Sequence, residues 1–125
     1  MSRPATTGAG EVEVVFRALA HGARRHILLL LQLRGGEATA GEIAERLSCR
    51  WSTTSRHLAV LRDAGLVEVE SQGRERVYRL LAETLRRVTG HWLRWFDLEL
   101  PEQELEELDS AIGAGRPRGE GSPAR

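Results

Sequence analysis

Between Thr39 and Gly65 the apolar positions fall into two short helical repeats joined by a tight turn. In the first, Ile43, Ala44 and Leu47 share one side, and Thr39 with Glu42 forms a Thr-x-x-Glu capping box that marks its start. In the second, Thr54, Leu58 and Leu61 lie within roughly 60° of one another on a helical wheel and must face a core. Gly65 is placed to end this helix as its C′ residue. The pattern then changes period. Leu66 to Glu70 alternates apolar and charged residues, Ser71 to Arg74 is a glycine-containing turn, and Arg76 to Leu80 is a second short strand. A β-hairpin over 66–80 therefore follows the helix pair at once.

Helical spacing extends to both sides. Val12, Val15, Phe16 and Leu19 predict a helix over 11–20, broken by His21-Gly22. Arg24 to Leu33, with Ile27, Leu28, Leu30 and Leu31, predicts a central core helix too short to span a membrane. After the hairpin, Leu81, Leu85, Val88, Trp92 and Trp95 recur at heptad-like steps, and Phe96 widens the stripe. The stripe packs either on its own monomer or on a second copy. Its large aromatics favour a dimer interface with the 11–20 helix, built from Val12, Val15, Phe16, Leu19, Leu85, Val88, Trp92, Trp95 and Phe96. Pro101 interrupts the helix, and Glu102 to Ile112 predicts one or two further acidic amphipathic turns.

The outward face of the second repeat carries Ser52, Ser55, Arg56 and Ala59, with Thr53 on the flank. A solvated helix face usually carries Glu and Lys. Small hydroxyls and Arg instead suit a face that approaches base edges closely and donates hydrogen bonds to them. The expected fold is therefore mainly α with a small β-hairpin wing, a dimeric winged helix-turn-helix whose second helix enters a DNA major groove. Ser52, Ser55 and Arg56 are expected on bases, with Arg50, Arg74 and Arg76 on phosphates or in an adjacent minor groove. His57 either bonds a phosphate or packs against its own helix. Trp51 either caps the helix start or presses on a sugar and a thymine methyl.

Charge at first opposes this reading, because 18 Arg balance 18 acids in 125 residues. The distribution resolves it: residues 1–96 carry a net +5 and residues 97–125 a net −5. The chain has no Lys, so every fixed basic contact comes from Arg, which suits bidentate binding of phosphate or guanine. The size predicts one domain over 11–112, flanked by disordered tails at 1–10 and 113–125. Without an apolar signal core or a run of 18 apolar residues, a cytoplasmic protein off the membrane is expected.

Phe16-Arg-Ala-Leu-Ala20, Arg25-His-Ile-Leu28, Gly41-Glu-Ile-Ala44, Ser55-Arg-His-Leu58, Leu61-Arg-Asp-Ala-Gly-Leu-Val67 and Gly73-Arg-Glu-Arg-Val-Tyr78 resemble the ArsR-type (ArsR/SmtB) family of bacterial winged helix-turn-helix repressors over residues 11–96. The resemblance implies a homodimer that binds double-stranded operator DNA and represses transcription. Many members release DNA on binding a metal. The soft-metal members often carry Cys-x-Cys in the first helix of the motif, whereas Glu37 to Ala44 here has neither Cys nor His. Zinc-sensing members use Asp, His, His and Glu along the last helix, whereas here it offers His91, Asp97 and Glu99. No metal site and no cofactor are therefore expected, and the inducing ligand stays open. The single Cys49 falls where an apolar residue normally fills the core and is expected as a small buried hydrophobe. Alternatives are a metal or redox response through His91 with nearby acids or through Cys49, and a winged helix serving protein interaction. Two departures from the family pattern stand out: Trp51 replaces a polar residue, and Arg50 stands where a helix-capping side chain is usual. No catalytic motif is present, so an enzyme is not expected.

Overall fold

Val15, Ala18, Ile27, Leu28, Leu31, Ile43, Leu58, Leu61, Leu66 and Val88 come together in one apolar core, and the elements that carry them are arranged around it. The structure is a computed structural model that describes residues 8–97 and 101–114. In chain order it comprises α1 (Ala9–Ala18), α2 (Gly22–Leu33), β1 (Glu37–Thr39), α3 (Ala40–Arg46), α4 (Trp51–Asp63), β2 (Val67–Gln72), β3 (Glu75–Leu80), α5 (Ala82–Leu93), a 3₁₀ turn (Arg94–Phe96) and α6 (Glu102–Ala114). The described residues fall into two units that divide between His91 and Trp92. α1 begins at Ala9, inside the expected N-terminal tail, and α6 runs on to Ala114. The rest of the expected tails, 1–7 and 115–125, lies outside the described residues.

The local signals act as the sequence suggests. Thr39 accepts from the Glu42 amide at 3.1 Å while Glu42 accepts from the Thr39 amide at 2.8 Å, completing the capping box of α3. The Thr39 amide bond, reinforced by Arg34, holds the Glu42 carboxyl below the usual carboxylate range. α4 ends in a Schellman motif: Leu66 donates to the Leu61 carbonyl at 2.9 Å and Gly65 to Arg62 at 3.0 Å. This geometry requires φ +78° at Gly65, which a side chain would strain. Leu58 and Leu61, both fully buried, each contribute about 1.5–3 kcal/mol of apolar burial that fixes the inner face of α4.

The hairpin carries a third strand that the pattern did not reveal. β1 pairs antiparallel with β3, so among the described residues the sheet has the order β1-β3-β2. Three residues bounded by Gly36 and a helix cap give too little alternation to be read as a strand. Arg79 ties the sheet together on its exposed face, bonding Glu37 of β1 and Glu68 and Glu70 of β2 at 3.0–3.2 Å. On the other face Tyr78 is buried between its partners Ala38 and Val69. At the hairpin tip Gly73 adopts φ +63°, which allows the tight turn between Gln72 and Glu75.

Two expectations need correction. Val15 and Val88 are fully buried in the chain's own core, so they hold α1 and α5 onto the fold and are not available to a partner. Val12, Leu19 and Leu85 also pack partly against this core. The heptad-like stripe thus combines two faces: its inner edge closes the monomer, helped by the bidentate Arg87–Glu11 pair at 3.0 and 2.7 Å between α5 and α1. Cys49 is exposed, not buried. Its thiol lies 3.2 Å from the hydroxyl of buried Thr54, and the residue, on the turn between α3 and α4, remains exposed.

Candidate nucleic-acid interface

α4 presents two chemically distinct sides. Thr54, Leu58 and Leu61 face the core, as the spacing requires. Ser52 and Arg56 are exposed and Thr53, Ser55, His57 and Ala59 are half-buried, so the hydroxyl-rich side is accessible. The helix starts at Trp51 with Arg50 as N-cap, and no side chain caps it. An uncapped helix start leaves amides that an anion can satisfy.

The wing approaches the start of the helix pair. Thr39, Ala40, Gly41, Trp51, Arg74, Glu75 and Arg76 line an open cleft of about 510 Å³. An apolar notch of about 240 Å³, formed by Ala40, Gly41, Ala44 and Trp51, adjoins it. The structure thus gathers Trp51, Arg74 and Arg76, which are far apart in sequence. Trp51 is 44% exposed and caps nothing, so the capping alternative does not describe it.

Pairing separates the arginines by role. Arg34, Arg62, Arg79, Arg86, Arg87 and Arg94 each hold a carboxylate. Among the described residues Arg50, Arg56, Arg74 and Arg76 form no ion pair. Arg24, Arg25 and Arg46 are likewise without one, so four of the seven arginines that form no ion pair among the described residues lie on α4, its N-cap and the wing tip. His57 sits on the inner flank of α4, its ring 5.9 Å from that of His21. Burial, then the charges of Arg24 and His21, pushes its pKa below the ordinary histidine value.

Other candidate chemistry is dispersed. Among the described residues no three His, Cys, Asp or Glu side chains lie together as metal ligands do. His91 is exposed on α5, and Glu99 lies outside the described residues. No helix among them is long and apolar enough to cross a membrane. Val14 on α1 and Leu93 on α5 are exposed apolar residues outside the positions that the spacing singles out. Extending the heptad count to flanking positions points to Leu93, but nothing in the local pattern marks Val14.

An outward-facing, hydroxyl-bearing helix beside an arginine-tipped hairpin defines a winged helix-turn-helix DNA-binding protein. The comparisons agree. A family model described as a helix-turn-helix domain matches residues 19–70. The biofilm growth-associated repressor of Agrobacterium fabrum is 36% identical over 80 residues, covering 64% of this chain and 67% of the repressor. An ArsR-like transcriptional regulator from Rhodococcus sp. RHA1 superimposes with a TM-score of 0.60 at 31% identity, over 84% of this chain and 89% of that one. A homodimeric winged helix-turn-helix DNA-binding domain from Mycobacterium bovis, a possible ArsR-family regulator, gives a TM-score of 0.56 at 30% identity, over 79% and 94%. The chain belongs to the ArsR/SmtB family of winged helix-turn-helix transcriptional regulators and is a DNA-binding regulator of transcription.

Proposed function

We propose that the protein is a cytoplasmic homodimeric repressor that binds an imperfectly palindromic operator and lacks the family's conventional metal-sensing sites. The observation that carries the DNA contact is the gathering of Arg50, Arg56, Arg74 and Arg76, which form no ion pair among the described residues, at the start and outer side of α4 and at the wing tip. Ser52, Ser55 and Arg56 read base edges, flanked by Thr53 and His57. Arg50, Arg74 and Arg76 hold backbone phosphates or reach the next minor groove. Trp51 packs on a sugar or a thymine methyl. The dimer forms through the aromatic residues Phe16, Trp92, Trp95 and Phe96. Support comes from the exposure of Trp92 and Phe96, at 43% and 64%, and from the homodimeric relative. Two recognition helices then lie roughly 34 Å apart, one turn of DNA.

Selection of binding sites from random duplex DNA tests this reading. Recovery of a palindromic site bound by dimers is expected. Recovery of no site would reject sequence-specific binding. Within that assay Arg74→Ala weakens binding to all sequences alike and lowers the salt slope by about one. An unchanged slope would remove Arg74 from the backbone contacts.

Metal insensitivity is tested on the same complex. Zinc, copper, arsenite and cadmium at low micromolar concentration are expected to leave it intact, since a sensor site needs three or four convergent ligands. Zinc release abolished by His91→Ala would establish a His91 site. Release by arsenite or oxidant, lost in Cys49→Ser, would instead make the exposed thiol the sensor.

A further inference from the structure

The first turn of α2 is charged against its own dipole. A helix N-terminus favours anions and disfavours cations. Yet α2 opens with no acidic residue, and its N-cap, His21, makes no side-chain capping bond. Arg24 and Arg25 stand in the same turn. Their amides donate to the His21 carbonyl, each at 3.1 Å. Among the described residues the amides of Gly22 and Ala23 find no such acceptor, so two donors of the turn stay open.

A second observation, independent of the helix end, points to the same place. Arg24 is only 8% exposed, and its Nε is buried without a hydrogen-bond partner. Among the described residues no carboxylate pairs with it. Buried cations are normally neutralised, because desolvation without a partner is costly. His57 reaches this spot from α4, its ring 5.9 Å from His21 and inclined by 44°. Arg24 and His21 both oppose a positive charge on His57. Three basic side chains from two helices therefore converge without an acid among them.

We propose that His21, Arg24 and His57, with the open amides of Gly22 and Ala23, seat one backbone phosphate of duplex DNA on each protomer. This rests on the DNA-binding reading above and adds a contact on α2, away from the wing and the outer face of α4. A DNA phosphodiester is the fitting anion because His57 shares its helix with Ser52, Ser55 and Arg56. A duplex laid along that helix brings its backbone to the helix flank. The amides and imidazoles hold the phosphate oxygens, and the guanidinium of Arg24 supplies positive potential from behind.

Proton linkage follows with a defined sign. A seated phosphate favours the imidazolium form of His57, whose protonation burial and Arg24 oppose in the free protein, so the complex binds more protons than the free protein. DNA affinity must then fall as pH rises through the histidine range.

Operator affinity at about pH 6 and about pH 8, for wild type and His21→Ala, tests the proposal. His21 is exposed and its side chain caps nothing, so the variant keeps the fold. Wild type is expected to bind roughly 5–10-fold more tightly at the lower pH, and His21→Ala to lose most of that gain on every sequence alike. One methylphosphonate replacement per half-site should weaken wild type but not the variant. Identical pH dependence and identical methylphosphonate response in the two proteins would overturn the proposal. So would histidine NMR signals that respond to inorganic phosphate but not to duplex, which would mark a seat for small anions only. Failure of wild type to bind any duplex would reject the DNA-binding reading itself.

Discussion

Replacing Trp92 and Trp95 together with Glu is expected to give a monomer that no longer holds its operator. Trp92 packs against Phe96 with ring centroids 4.8 Å apart and planes inclined by 56°, and Leu93 is 57% exposed. Large aromatic surface of this kind supplies much of the free energy of an interface, and carboxylates buried there without partners would oppose association strongly. Fully buried Val88 anchors α5 to the core one turn earlier, so the fold should survive the change. A dimeric repressor gains its operator affinity from two half-sites bound at once, so a monomer should lose on the order of 100-fold or more. Light scattering and operator titration measure the two losses. A wild-type monomer that binds tightly, or a double variant that stays dimeric, would reject this interface.

Arg56→Ala should carry the second largest effect, and of a different kind. Arg56 is exposed on the outer side of α4 and has no ion pair among the described residues, so its removal costs the fold little. A bidentate contact to guanine is worth about 1–3 kcal/mol of discrimination. The variant should therefore weaken at the selected operator by up to about a hundredfold and relax base preference at one position of each half-site. Competition titrations against single-base operator variants read this directly. Equal loss on every sequence would reassign Arg56 to the phosphate backbone.

Much of the architecture was legible because it follows from short-range rules. The Thr39–Glu42 box, the Gly65 stop, and the placing of Thr54, Leu58 and Leu61 on one side each depend on a few neighbouring residues. What escaped was set by distance in sequence. β1 exists because β3 offers it an edge about forty residues later, and Glu37 meets Arg79 only in three dimensions. α6 is longer than its acidic pattern suggested, running for 13 residues after Pro101. The same limit explains the stripe of α5. Periodicity identifies an apolar side but not which part of it the monomer uses, and Val88 went inward while Trp92 stayed half-exposed. The candidate DNA surface was legible in composition. Its wing cleft, which joins Trp51 to Arg74 and Arg76, required the fold. Cys49 was misplaced because a turn position is not a core position, and its exposure depends on local backbone that no periodicity records.

The strand that pattern analysis overlooked also determines how this molecule can be switched. β1 leads directly into α3 and bonds along β3, while Leu81 donates to the Leu66 carbonyl at 2.9 Å beyond the end of α4. Arg79 fastens all three strands at once. The helix pair and the wing are therefore bonded into one reading head, the proposed groove-reading helix and the proposed backbone-gripping hairpin being joined through the same sheet. In the proposed dimer an inducing signal has little internal freedom to work on within a head. Its lever is the pitch between two heads, so repression and release become a matter of matching or missing the helical repeat of DNA.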